Sequence, residues 1–159
     1  MSGERASPVC FASEGSDEYV GYAGRDEILA RLNELIEAER AGARVALDTL
    51  RSSDDPPLAA LMRAVRRDES RWCAMLTREV RRLGGSPSRR CGAFHAKAMA
   101  IPDLRERISF LNRGQTWVAR KLSELVPRVR DERLQDELRR MRTGHDENIA
   151  VAEAFLSRP

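Results

Sequence analysis

Along four stretches of the chain, apolar residues return every three or four positions, the spacing that lines up one face of an α-helix. The first seam runs through Ile28, Leu32, Leu35, Gly42 and Ala46, and the second through Leu58, Met62, Val65, Trp72, Leu76 and Leu83. The third takes in Leu104, Ile108, Leu111, Val118, Leu122 and Leu125. The fourth takes in Leu134, Leu138, Met141, Asn148 or Ile149, Ala152 and Phe155. Few segments alternate with period two, so a sheet has little to build on. The pattern predicts an all-α domain.

Punctuation residues place the helix ends. The first predicted helix starts near Asp26, an acidic residue suited to a helix N-terminus, and ends near Arg51, ahead of "SSDDPP". The second runs from about Pro57 to Leu83, where "GG" stops it. The third runs from near Asp103 to about Val126, with Pro127 breaking it, and the fourth from Asp131 to Ser157. Residues 1–24 are rich in Ser, Gly and Glu and read as a flexible tail, leaving 25–159 as one domain. The first and last pairs have connectors of about six and about four residues, which makes each pair an antiparallel hairpin. Between the pairs lie about nineteen residues with a short helix predicted at Ala93–Met99, and extended chain at ~3.3 Å per residue spans the ~39 Å of a long helix. Two hairpins with one long crossover is a known four-helix bundle connectivity, the one ferritin-like folds use.

Composition adds little to this picture but excludes several alternatives. A third of the chain is charged and helix formers dominate, which supports the helical reading. The net charge is only +3, and nearly all the positive charge is arginine, a bias that a GC-rich genome would also produce. Three cysteines with no CxxC spacing argue against a disulfide framework and against a zinc site built on them. No stretch resembles a signal peptide or a membrane span, so a soluble, cytoplasmic protein without membrane partners is expected.

The candidate chemistry lies in the interruptions of the seams. Each seam is broken once by a strongly polar residue near the helix midpoint: Glu39, Glu69, Gln115 and His145. In helices of similar length packed side by side, midpoints share one height whichever way the helices run. The four residues are therefore expected in a single inward-facing layer. Burying them separately would cost several kcal/mol for each charge, so they must satisfy one another or a bound ion. Two carboxylates and an imidazole suit iron, manganese or zinc.

This layout resembles the ferritin-like superfamily, over roughly residues 26–157, whose bundles carry di-iron or di-manganese sites. More narrowly, "DESRWCAML", "GAFHAKAMAI", "LNRGQTWVARKL" and "GHDENI" are similar to a small bacterial ferritin-like family of undefined function. The resemblance implies a mid-bundle metal site, iron first, with Glu39 as the single glutamate of the first helix. Glu69 matches the glutamate of the first Glu-x-x-His, but Trp72 stands where its histidine should be. Gln115 stands where a glutamate is expected, and neither Arg142 nor Asn148 completes a motif with His145. A one-metal or degenerate di-metal site from Glu39, Glu69 and His145 is implied, with Gln115 as a further ligand or orienting donor, and with a redox or iron-handling role.

Other readings compete with it. The layer could be a metal-free polar network fixing the register of a bundle that acts as an interaction or stress-response module. Trp72 is expected to fill space beside the layer, and Cys73 to behave as a small buried hydrophobe. His95 is expected in a capping or surface role, while Asp68 and Glu147 project away from the layer toward solvent. An arginine stripe at Arg63, Arg67, Arg71, Arg78 and Arg82, extended by Arg89 and Arg90, could contact nucleic acid. Without interleaved aromatic residues, and diluted by Asp68 and Glu79, it fits a solvated or subunit-contacting face better. Phe110, Trp117 and Lys121 form another flank, to be covered by the crossover or by a second subunit, and a homodimer is the expected assembly.

Overall fold

The computed structural model describes residues 21–159, and every regular element in that span is helical. The four long helices are α1 (Arg25–Leu50), α2 (Pro56–Arg82), α4 (Leu104–Leu125) and α5 (Glu132–Leu156). The short α3 (Phe94–Met99) lies in the crossover, and a 3-10 turn at Val126–Arg128 closes α4 at Pro127. Most of the predicted tail lies outside the described residues. Its last residues do not behave as a tail: Ala23 is buried, and its N–H donates to the Arg128 carbonyl at 2.8 Å.

Three of the four long helices begin on an aspartate. Asp55, Asp103 and Asp131 each accept a hydrogen bond from the backbone N–H three residues on, each cap stabilising by about 1 kcal/mol. The predicted starts at Asp103 and Asp131 are thus the caps themselves. α1 starts instead from Gly24 without a side-chain cap, and Asp26 and Glu27 supply negative charge to its first turn. At the end of α2, Gly84 takes a φ of +76°, which lets the chain leave the helix where a side chain would be strained.

Helix α1 packs along α2, and α4 along α5, with α1 also against α4 and α2 against α5. The directions follow from end-to-end bonds. Arg25 at the start of α1 donates to the Leu83 carbonyl past the end of α2. Arg105 at the start of α4 donates to the Leu156 carbonyl at the end of α5, and Arg82 at the end of α2 meets Asp131 before α5. Each of these pairs is antiparallel. The crossover climbs the length of α1: Asn33 holds Ser86 and Ser88, Arg40 donates to the carbonyls of Ser88 and Arg90, and Asp48 pairs with His95. α3 then wedges between α1 and α4. The apolar interior forms two clusters, one around Leu35, Leu76, Leu122 and Leu138, the other around Val45, Met62, Val65 and Ile108.

Candidate metal centre

The four polar midpoint residues are all buried: Glu39 at 0% exposure, His145 at 1%, and Glu69 and Gln115 at 3%. Each belongs to a different long helix, so the expected inward orientation is observed for all four. They satisfy one another only in part. Both carboxylate oxygens of Glu39, both ring nitrogens of His145 and the amide oxygen of Gln115 are buried without a hydrogen-bond partner. His145 Nε2 approaches Glu39 Oε1 at 3.1 Å, but the two groups are not aligned as donor and acceptor. An unmet buried polar group costs about 1–3 kcal/mol, so several at one level are expensive to the chain by itself.

Glu69 lies apart from that pair. A Cβ placed on Gly42 would fall 1.8 Å from Glu69 Oε2, so the carboxylate occupies the notch that only glycine leaves in α1. Glu69 and Gln115 both line a cavity of about 450 Å³ enclosed by α1, α4 and the crossover segment Cys91–Phe94. The layer thus has an open side, toward this cavity, and a closed side, where Glu39 and His145 meet. On the closed side Trp72 fills space as expected: its ring lies against Gly144, next to His145.

Burial dominates the electrostatics of both carboxylates. Burial pushes the Glu69 carboxyl well above its ordinary range, and the charges of Glu39 and Asp68 push it further. Burial also raises Glu39, which the neighbouring His145 only partly draws back. A divalent ion would reverse both effects, since its charge favours the deprotonated ligands. Two carboxylates, an imidazole and an amide oxygen make a donor set suited to iron, manganese or zinc. Among the described residues no three His, Cys, Asp or Glu side chains stand close enough together to hold a metal ion; Glu69 lies in the Gly42 notch, away from the Glu39–His145 pair.

Several sequence expectations change. Asp68 is half-buried rather than solvent-facing and accepts from Asn148 at 3.3 Å, whereas Glu147 is exposed as expected. Glu79 was placed among the surface charges, yet it is 3% exposed and paired with Arg82 and Arg133. The arginine stripe is exposed as expected, and three of its members also have partners within the chain: Arg67 pairs with Asp68, Arg71 covers the Trp72 ring, and Arg82 holds Glu79 and Asp131. Arg78 instead lines a groove between α1 and α2 with Arg40, Arg44, Arg66 and Arg81. Cys73 is half-buried in that groove, with its thiol pushed up by burial. His95 is the partner of Asp48. The Phe110 flank is covered by the crossover, whose Phe94 ring stacks on Phe110 at 4.8 Å.

Sequence reasoning also passed over buried polar residues. Glu79 occupies the beat between Leu76 and Leu83 on the second seam, a signal that the spacing offered. Asn112 and Arg107 are buried on α4, and Arg107 donates twice to the Ile101 carbonyl, tying down the end of the crossover. No helix among the described residues is long and apolar enough to cross a membrane.

The chain belongs to the family described as "Domain of unknown function (DUF6306)", whose profile matches residues 26–154. None of the curated proteins and none of the solved structures matches it.

Proposed function

We propose that the protein is a ferritin-like four-helix bundle that binds one transition-metal ion, iron first, at the layer of Glu39, Glu69, Gln115 and His145. The observation that carries this reading is the set of buried polar atoms on Glu39, Gln115 and His145 that lack an aligned hydrogen bond, with only the 3.1 Å approach of Glu39 to His145 between them. Glu39 and His145 would hold the ion from the closed side, and Glu69 and Gln115 from the side of the cavity. A bound ion would supply Lewis acidity and, for iron or manganese, electron transfer. Residues of this chain do the rest. Leu35 and Leu76, both fully buried, keep one side of the layer dry, while the cavity admits small molecules to the other.

The test is metal analysis and thermal melting of untagged protein with Fe(II) under anaerobic conditions, Mn(II) or Zn(II). At a free metal concentration ~1,000 times Kd the gain is ~4 kcal/mol, or a rise in Tm of roughly 10 °C. The Glu39→Ala/Glu69→Ala double variant should fold and show neither metal nor shift. A parent that stays metal-free and melts unchanged would sink the proposal. A second reading, a metal-free polar network in an interaction module, is favoured by the close approach of His145 to Glu39. It predicts no response to any metal and a large loss of stability on removing either partner alone.

A further inference from the structure

The cavity on the open side of the layer has the features of a ligand site in its own right. Its walls are largely apolar, and three aromatic side chains, Phe94, Phe110 and Trp117, contribute to them. Two of these are fixed in place: Phe94 stacks on Phe110 with planes 20° apart, and a Cβ on Gly114 would fall 2.6 Å from the Phe94 ring. The ring is therefore seated on a glycine of α4, and the crossover forms a firm wall. The opposite wall is α1, where the small residues Ala38, Ala41 and Gly42 lie between Glu69 and the glutamates Glu34 and Glu37 at the rim. A volume of about 450 Å³ lies within the range of sites for small organic ligands.

Deep in the cavity two buried side chains offer acceptor oxygens. Gln115 presents an amide oxygen with no partner, and the Glu69 carboxyl has no hydrogen bond or ion pair to any described residue. Both groups are 97% buried, and each has a carbonyl-type oxygen that can accept whatever the charge of the carboxyl. Such a pair rewards a molecule that brings a donor and penalises one that does not, because an unpaired buried acceptor stays costly.

We propose that this cavity binds an aromatic molecule carrying one hydrogen-bond-donating head group, an aryl amine or a phenol. The ring lies between Phe94, Phe110, Trp117 and Ala38, and the head group donates to Glu69 and Gln115. The proposal deepens the metal reading, since Glu69 and Gln115 face both, but its test uses metal-stripped protein so that either can fail alone. Binding of the probe without metal uptake would remove the metal centre and leave the cavity site standing. Metal uptake without probe binding would do the reverse.

The probe is N-phenyl-1-naphthylamine, an aromatic body with a single N–H, followed by its fluorescence on titration. Saturable binding of one probe per chain is expected. Ala38→Phe fills the cavity from the α1 side and should weaken binding at least about tenfold while leaving metal uptake intact. 1-Phenylnaphthalene, which lacks the N–H, should bind roughly tenfold more weakly than the probe, and Gln115→Leu should shrink that gap. The chain has two tryptophans, Trp72 and Trp117, so Trp72→Phe leaves Trp117 as the only donor of energy transfer to the bound probe. That measurement decides the matter even if Ala38→Phe does not fold. Fluorescence that never saturates, no transfer from Trp117, or binding unchanged in a folded Ala38→Phe protein would overturn the proposal.

Discussion

Helix α2 buries two glutamates to the same extent, and the chain treats them in opposite ways. Glu79, at 3% exposure, is met by Arg82 from its own helix and by Arg133 from α5, and Arg82 goes on to Asp131 at 2.7 Å. That cluster pins the end of α2 to the start of α5. Glu69, also at 3%, has no such partner; it rests in the notch of Gly42 beside an apolar cavity. Equal burial with unequal satisfaction separates two roles. A buried carboxylate whose cations come from the same chain is a structural joint. One left without such a partner is where the proposed ion or ligand would bind.

Breaking the joint should have the largest effect on the fold. Glu79→Ala removes the anion shared by Arg82 and Arg133 and should cost about 2 kcal/mol by urea denaturation, less than for a fully buried pair because both arginines reach water. Glu69→Gln should do the opposite in metal-free protein. It replaces an unpaired carboxyl with a neutral isostere, and a gain of about 1 kcal/mol at pH 7 is expected. The pH dependence carries the sign. Glu69 and Glu39 both hold their protons more tightly folded than unfolded, so at low pH neither costs stability. As pH rises above the ordinary glutamate value of 4.5 the unfolded chain ionises first, and stability falls until the raised folded values are passed. Glu69→Gln should flatten that fall in melts taken across the range, whereas bound metal should turn it into a rise. An equal slope in both proteins would contradict the assignment.

Gly42→Ala sharpens the comparison differently. Alanine ordinarily gains about 1 kcal/mol over glycine in a helix interior, but here the new methyl displaces the Glu69 carboxylate. Melting should stay within about 1 kcal/mol of the parent, since a carboxylate on a flexible side chain can swing away. Metal uptake should fall sharply. The smallest effect is expected at Arg133, which is 70% exposed and 3.5 Å from Glu79. Arg133→Ala should cost about 0.5 kcal/mol or less, because Arg82 still holds the glutamate.

The two glutamates also show how far the sequence could be read. Glu69 was legible because it interrupts a seam at the same relative height as Glu39, Gln115 and His145, and height along a helix is a one-dimensional property. Glu79 stood on a seam beat just as clearly, but near a helix end and among arginines it looked like one more surface charge. Only the approach of α5 covers it. The arginine stripe is exposed throughout, as its angle on the helical wheel implied, but that angle does not tell what each guanidinium meets. Arg71 folds over Trp72, while Arg78 joins Arg40 and Arg44 of α1 in a shared groove. Asp68 points away from the layer on the wheel, yet Asn148 reaches across from α5 to bond it.

From sequence alone came the four long helices, the aspartate caps of the third and fourth of them, the hairpin pairing and the burial of Glu39, Glu69, Gln115 and His145. These depend on periodicity and on local capping, which act within a few residues of each other. The tertiary structure decided which buried polar groups are satisfied, that the crossover's Phe94 lies on Gly114 to wall off a cavity, and that Glu69 faces it through the gap at Gly42. Each of these rests on contacts between segments far apart in the chain. Whether a buried charge has a partner is set by what packing brings within a few ångströms of it, and no local pattern carries that information.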